Sequence, residues 1–432
     1  MKLYSTKNPT KFVSLKEAVF KGLPEDNGLY MPENIPQLSP DFIKNLINHS
    51  FQSIAFEVAK TMIGDAIPEK DLKNIVESSI DFPAPVVRLD DTTHILELFH
   101  GPSLAFKDFG ARFMSQLMSY FNRNNNQELV ILVATSGDTG GAVAAGFYEA
   151  MGIKVVILYP SGKVSMLQEK QLTTLGKNIA ALEVEGTFDD CQALVKQAFL
   201  DDTLTSKIRL SSANSINIAR LIPQSFYYFE AYKQLDTMGK PVVFSVPSGN
   251  FGNLTAGLFA KKMGLPIHKF IAATNANDVV PQYLKTGEYK PTPSVRTLSN
   301  AMDVGNPSNF ARMLDIYSST WNNMIQEIKG YTFNDEATKE GVKEVFRKYN
   351  YIIDPHGAVG YLALKEYQQK NDVVGVVLET AHPTKFLDDM ESILEQKIAI
   401  PERLASLVDK EKVATKIGTD FKPFKDWLIQ NY

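Results

Sequence analysis

Three short segments combine residue types that chemistry uses. Val246-Pro247-Ser248-Gly249-Asn250-Phe251-Gly252-Asn253-Leu254 follows an apolar run and precedes a helical pattern. Glycines let a backbone approach a ligand closely, and successive N–H groups at a helix N-terminus seat an anion. The loop has no lysine and no G-x-x-x-x-G-K-[ST] or G-x-G-x-x-G spacing, so it is neither a nucleotide P-loop nor a dinucleotide fingerprint. A plain tight turn would also use glycine, but two glycines with two asparagines favour the anion seat. Ala134-Thr135-Ser136-Gly137-Asp138-Thr139-Gly140-Gly141 lies at a second strand-to-helix junction. Its hydroxyls and glycines suit a carboxylate or phosphate; Ser136, Asp138 or Thr139 could be a simple helix cap, but one residue would suffice for that and the density of small polar groups favours a site. In His100-Gly101-Pro102-Ser103-Leu104-Ala105-Phe106-Lys107-Asp108-Phe109-Gly110, Lys107 follows an apolar triplet and lies between two phenylalanines. Apolar surroundings lower a lysine pKa, and a neutral amine forms a Schiff base. Read alone, Lys107 snorkels or pairs with Asp108. Beside two anion-binding loops it fits a cofactor that carries both a carbonyl and a phosphate.

A fourth segment, Ala213-Asn214-Ser215-Ile216-Asn217-Ile218-Ala219-Arg220, offers a forked guanidinium with Ser215 and Asn217 as neutral donors. It reads either as a phosphate pocket or as a polar turn followed by a surface arginine. His382 and Thr384 stand between a cofactor contact and a structural role. His356 reads as structural turn chemistry, Cys191 as an inert thiol behind two aspartates, and Tyr227-Tyr228-Phe229 as core.

Elements must position these groups. Apolar runs at Leu129–Val133, Lys154–Leu158, Ile179–Val184, Pro241–Val246, Lys269–Ala273 and Asp372–Leu378 read as strands. Helical patterns at Ala142–Ala150, Asp189–Leu200 and Leu254–Met263 alternate with them. The alternation predicts βαβ units around a mainly parallel sheet, where ligands bind at the carboxyl ends of strands. Before residue 82 the patterns are helical (Leu15–Phe20, Asp41–Ile47, Phe51–Ile63), and Asp81-Phe82-Pro83-Ala84-Pro85 reads as a hinge. The segment after Pro401 reads as a charged helical packing element.

The 432 residues are 44% hydrophobic and 22% charged, an ordinary globular composition large enough for two or three domains. A net charge of -4 gives no general attraction to nucleic acid or anionic membrane. A single cysteine excludes an intramolecular disulfide and a cysteine zinc site, and no His-x-x-x-His pair supports a metal. With no leader-like or membrane-spanning run, the expected address is the cytoplasm.

The His100–Asp108 segment resembles the cofactor-lysine segment of threonine synthases, members of the fold-type II pyridoxal-phosphate enzymes. Ser136-Gly137-Asp138-Thr139-Gly140, Ser248-Gly249-Asn250-Phe251-Gly252-Asn253 and Thr380-Ala381-His382-Pro383-Thr384-Lys385-Phe386 resemble that family in the same order. The N-terminal segment is similar to the extra domain of its longer bacterial and fungal branch. The resemblance implies an α/β fold of the tryptophan synthase β kind: an N-terminal, mostly helical domain over 1–82, a large cofactor-binding domain over 83–110 and 222–432, and a small α/β domain over 111–221. It implies pyridoxal phosphate as cofactor, linked to Lys107 and cradled by Gly249, Asn250, Phe251, Gly252 and Asn253, with Thr380 facing the pyridine nitrogen. Thr135, Ser136 and Thr139 would hold substrate, and Ser215, Asn217 and Arg220 its phosphate. The implied reaction converts O-phospho-L-homoserine and water to L-threonine and phosphate. The chain departs from the wider fold-type II pattern at Asp138, where many members place an asparagine beside the cofactor's O3′. Two alternatives share the cofactor: a serine or threonine dehydratase, which needs no phosphate pocket, and a cofactor-holding binding protein without turnover.

Overall fold

The computed structural model describes every residue, Met1–Tyr432. Its larger sheet has the order Ile328–Thr332, Ile267–Thr274, Val242–Pro247, Val374–Glu379, Thr93–Glu97, Val86–Arg88. All neighbours are parallel except the last pair. Val242–Pro247 and Val374–Glu379 are buried at every position, as strands covered by helices on both faces must be. The smaller sheet runs Thr415–Ile417, Ile179–Val184, Ile153–Pro160, Leu129–Ala134, Arg209–Ser212, all parallel. The α/β expectation therefore holds, with two sheets sharing the work. No helix is long and apolar enough to cross a membrane.

The mostly helical reading of the N-terminal region holds with a small sheet added, and one later segment departs from its expected domain. The N-terminal region is not helices alone: Asn8–Ser14, Lys2–Ser5 and Tyr30–Pro32 form a three-stranded antiparallel sheet beside the helices Leu15–Lys21, Phe51–Ile63 and Glu69–Ser79. The chain's last strand, Thr415–Ile417, pairs with Ile179–Val184. That part of 222–432 thus joins the smaller sheet rather than the larger one. The Asp81–Pro85 stretch is extended but fastened. Ala84 is buried, and Arg112 donates to Ser78 O, Ser79 O and Asp81 Oδ2.

The helix Lys107–Asn122 connects the bodies. It buries Phe109, Phe113, Met114, Leu117 and Met118 in a core shared with Val58 and Ile75 of the N-terminal region and with Phe226 and Tyr227. Its Gly110 meets Ile218–Leu221 so closely that a Cβ there would lie 2.9 Å from the Arg220 carbonyl oxygen. The start of this helix is thereby fixed against the segment that carries Arg220.

Candidate active site

The loops that carry these groups lie at carboxyl ends of strands, where a parallel sheet leaves its crevice. Val242–Pro247 feeds the Ser248–Phe251 loop and the helix Gly252–Lys262. Leu129–Ala134 feeds the Thr135–Gly137 loop and the helix Asp138–Phe147. Thr93–Glu97 leads to the Lys107 loop, and Val374–Glu379 leads to Thr380. The last two are stitched together. Phe106 N donates to Thr380 O at 2.8 Å, His382 N donates to Leu104 O at 3.0 Å, and Ala105 bridges Ala381.

In the Gly249–Asn253 loop, none of the five successive backbone N–H groups donates to a protein carbonyl. Phe251 holds a left-handed backbone, φ 59°, which turns these groups toward one side at the helix N-terminus. A Cβ on Gly249 would come 2.6 Å from Met302 Cα, so only glycine passes there. The asparagine side chains shape the loop. Asn253 Oδ1 accepts from Ser248 Oγ and its Nδ2 donates to Pro247 O, while Asn250 Nδ2 donates to Ser215 Oγ at 3.2 Å. A row of free backbone N–H groups at a helix N-terminus suits a multiply charged anion.

Lys107 opens its helix with no ion-pair partner, its Nζ 6.0 Å from the Phe106 ring centroid. Burial pushes its amine down to about 8; Asp138 opposes the shift, and Arg220 and Lys385 add to it. The simple pairing with Asp108 does not occur. Asp108 is turned inward, its Oδ2 accepting from Ser103 N at 2.9 Å, and burial raises its carboxyl to about 6. A lysine whose amine burial has made easier to deprotonate, a loop of free backbone N–H groups and the Thr380 strand end fit pyridoxal phosphate.

The remaining expectations divide. Ser136 and Thr139 form no side-chain bonds within the protein, whereas Thr135 Oγ1 accepts from Gly137 N and Gly140 N. Thr135 is buried and shapes its loop rather than offering its hydroxyl. Arg220 is not a surface arginine. It is 2% exposed, donates through Nη1 to Ala213 O at 2.8 Å, and leaves Nε without a partner. Ser215 adjoins Asn250 and so the anion seat. Asn217, expected in the same pocket, has both ends of its amide engaged: Nδ2 donates to Val19 O and Oδ1 accepts from Ala219 N. It caps a helix and ties the segment to the N-terminal region. His382 caps the turn Pro383–Phe386 by accepting from Thr384 N. His356 Nε2 accepts from Ala301 N while Nδ1 meets Asp354, a structural role. Burial pushes the Cys191 thiol up to about 12, so it is inert. Tyr227, Tyr228 and Phe229 are core.

Sequence reasoning missed Lys385. It is 2% exposed, 2.7 Å from Asp138 Oδ1 and donates to Ser103 O at 2.9 Å. Burial alone would raise the Asp138 carboxyl, but Lys385 and Lys107 overcome that and hold it well below the usual carboxylate range. The available signal was a lysine inside an otherwise apolar and small-residue strand-end motif.

Comparison with known proteins agrees with this geometry. The family profile of pyridoxal-phosphate dependent enzymes matches residues 82–379, that of the threonine synthase N terminus residues 2–80, and that of the threonine synthase C-terminal region residues 357–427. A threonine synthase of Serratia marcescens is 44% identical over 99% of both chains. The crystal structure of threonine synthase from Escherichia coli superposes with a TM-score of 0.91 at 42% identity, covering 100% of both chains. A pyridoxal-phosphate-bound threonine synthase from Brucella melitensis gives 0.94 at 34% identity, covering 100% of this chain and 99% of that one. With the lysine, the phosphate seat and these full-length likenesses together, the chain belongs to the threonine synthases, pyridoxal-phosphate-dependent lyases with an added N-terminal domain.

Proposed function

We propose that this site converts O-phospho-L-homoserine and water to L-threonine and inorganic phosphate, with Lys107 as the cofactor-linked amine and the base. The observation that carries the reading is Arg220, a buried guanidinium with an unused Nε beside the Lys107 helix. The proposed chemistry brings three anions together: the cofactor phosphate, the substrate carboxylate and the substrate phosphate. The site offers three matching receptors. Gly249–Asn253 take the cofactor phosphate through their N–H groups. Ser136 and Thr139, at the N-terminus of Asp138–Phe147, take the carboxylate. Arg220 and Ser215 take the departing phosphate. A dehydratase would have no use for the third.

Bound pyridoxal phosphate supplies an electron sink for negative charge at the substrate Cα. Lys107, once released, accepts the Cα proton and keeps it close for return; a burial-lowered pKa suits that exchange near neutral pH. Thr380 presents a hydroxyl rather than a carboxylate, which suits a neutral ring nitrogen. Glu379, its neighbour, is directed away and accepts from Asp354 N. Arg220 stabilises charge on the phosphate as the Cγ–O bond breaks. Phe106 flanks Lys107, whereas Phe109 turns into the core against Phe82 and Tyr227, so only the former borders the reacting groups. A small polar substrate fits the expected cytoplasmic address.

The test supplies purified holoenzyme with O-phospho-L-homoserine and measures phosphate and threonine together. Equal release of both is expected, with no 2-oxo acid from L-serine at comparable rate. Threonine-free turnover of L-serine would establish the dehydratase instead, and bound cofactor without any turnover would establish a binding protein.

A further inference from the structure

Lys385–Asp138 is the most buried lysine or arginine ion pair of the chain, its side chains 1% and 8% accessible where most such pairs are exposed. Each partner is also anchored within its own body, so the pair itself spans the cleft. Lys385, at the end of the larger sheet, donates to Ser103 O in the Lys107 loop. Asp138, at the start of a helix on the smaller sheet, accepts from Gln168 Nε2 at 3.0 Å. Gln171, from the same helix as Gln168, donates to Ser103 O from the other side. A buried pair is weak evidence for stability, because two desolvated charges often do no better than two apolar groups. Its retention calls for a role in placing charge.

We propose that Lys385 is a positioning residue of the active site: it fixes the Asp138 carboxylate across the cleft between the two sheets and offsets that charge beside the Lys107 amine. An unpartnered carboxylate at that place would bind the proton of Lys107 and repel a negatively charged cofactor oxygen. With Lys385 in place the two charges cancel, and Lys107 stays available as a base. The groups that act on Lys107 are Asp138, Arg220 and Lys385; Asp108 and His382 feel Lys385 in turn, and Arg112 acts on Asp108. The inference rests on Lys107 being the cofactor-linked amine, as in the proposed function, and not on the identity of the substrate.

The experiment is a spectral pH titration of the holoenzyme without substrate, following the visible absorption change as the Lys107 nitrogen loses its proton. Lys385→Met leaves Asp138 as a lone anion and should move the midpoint up by about one unit or more. Lys385→Met with Asp138→Asn removes both charges and should return the midpoint toward the wild type. Asp138→Asn alone leaves a lone cation and should move it down, a readout that survives if Lys385→Met does not fold. A Lys385→Met midpoint equal to that of the wild type overturns the proposal. So does a double variant displaced as far as the single one, or an unmoved Asp138→Asn. Failure of the wild type to take up cofactor at Lys107 would instead remove the proposed function, a distinguishable result.

Discussion

Two arginines lie fully inside this molecule, and their surroundings differ. Arg312 saturates its guanidinium. Nε and Nη2 donate to Tyr30 O at 3.1 and 3.0 Å, Nη2 also to Ile216 O at 2.7 Å, and Nη1 to Asn309 Oδ1 at 2.7 Å. Arg220 makes one protein bond, to Ala213 O, and leaves Nε unpartnered. Burial lowers both, to about 9 and about 10 respectively, yet neither has a carboxylate in contact. A buried donor without an acceptor costs roughly 1–3 kcal/mol, more when charged. A protein that satisfies one arginine so fully and leaves the other short is using them differently. Arg312 ties the N-terminal strand Tyr30–Pro32 to the segment that carries Arg220. Arg220 keeps capacity for a ligand.

Truncation should separate the two. Arg220→Met is expected to lower kcat/KM for O-phospho-L-homoserine by about 2–5 kcal/mol, roughly thirty-fold or more, with the melting temperature little changed, since the lost charge was poorly satisfied. Steady-state kinetics beside thermal melts would check this; unchanged kinetics would move the phosphate pocket elsewhere. Arg312→Met should do the reverse at first order. It strips donors from Tyr30 O and Ile216 O and should destabilise by about 3 kcal/mol, visible in urea unfolding, with a secondary rise in KM as the 213–220 segment loosens. If Arg312→Met melts like the wild type, its four bonds are not a brace. The smallest effect concerns Lys107. Removing the Arg220 charge should raise the Lys107 amine above about 8, so labelling of the apoenzyme by an amine reagent shifts to higher pH, whereas Arg312→Met leaves the profile in place.

How far the sequence reached depended on whether the deciding forces were local. Ile179–Val184 and Phe51–Ile63 were read at their observed bounds because their apolar periodicity reports burial directly. Asn8–Ser14 is polar and almost wholly exposed, and Lys2–Ser5 buries only Leu3 and Ser5 within four residues, so no apolar run marks them as strands. Thr415–Ile417, three residues between charges, was hidden for the same reason. In the site, the glycine-rich loop and Lys107 stood out because their function is written in consecutive residues. Asn217 misled because an amide is equally suited to phosphate and to a helix cap, and its partner Val19 lies far along the chain. Lys385 stayed silent because its meaning depends on Asp138, which only folding places beside it. Arg220 read as either a phosphate ligand or a surface residue, because burial against the distant Gly110 helix is not written in its neighbours.

The return of Thr415–Ile417 to the smaller sheet bears on solubility. Ile179–Val184 is almost wholly buried and would otherwise form an open sheet border, a row of unpaired amides able to recruit strands from other molecules. Thr415–Ile417 occupies that border with a short, mostly exposed strand carrying Lys416, and Glu185 N closes its end by donating to Ile417 O. Phe424 and Leu428 of the following helix pack beneath, against Leu182 and Cys191. Without this segment the Ile179–Val184 edge would stand open to strands from other molecules.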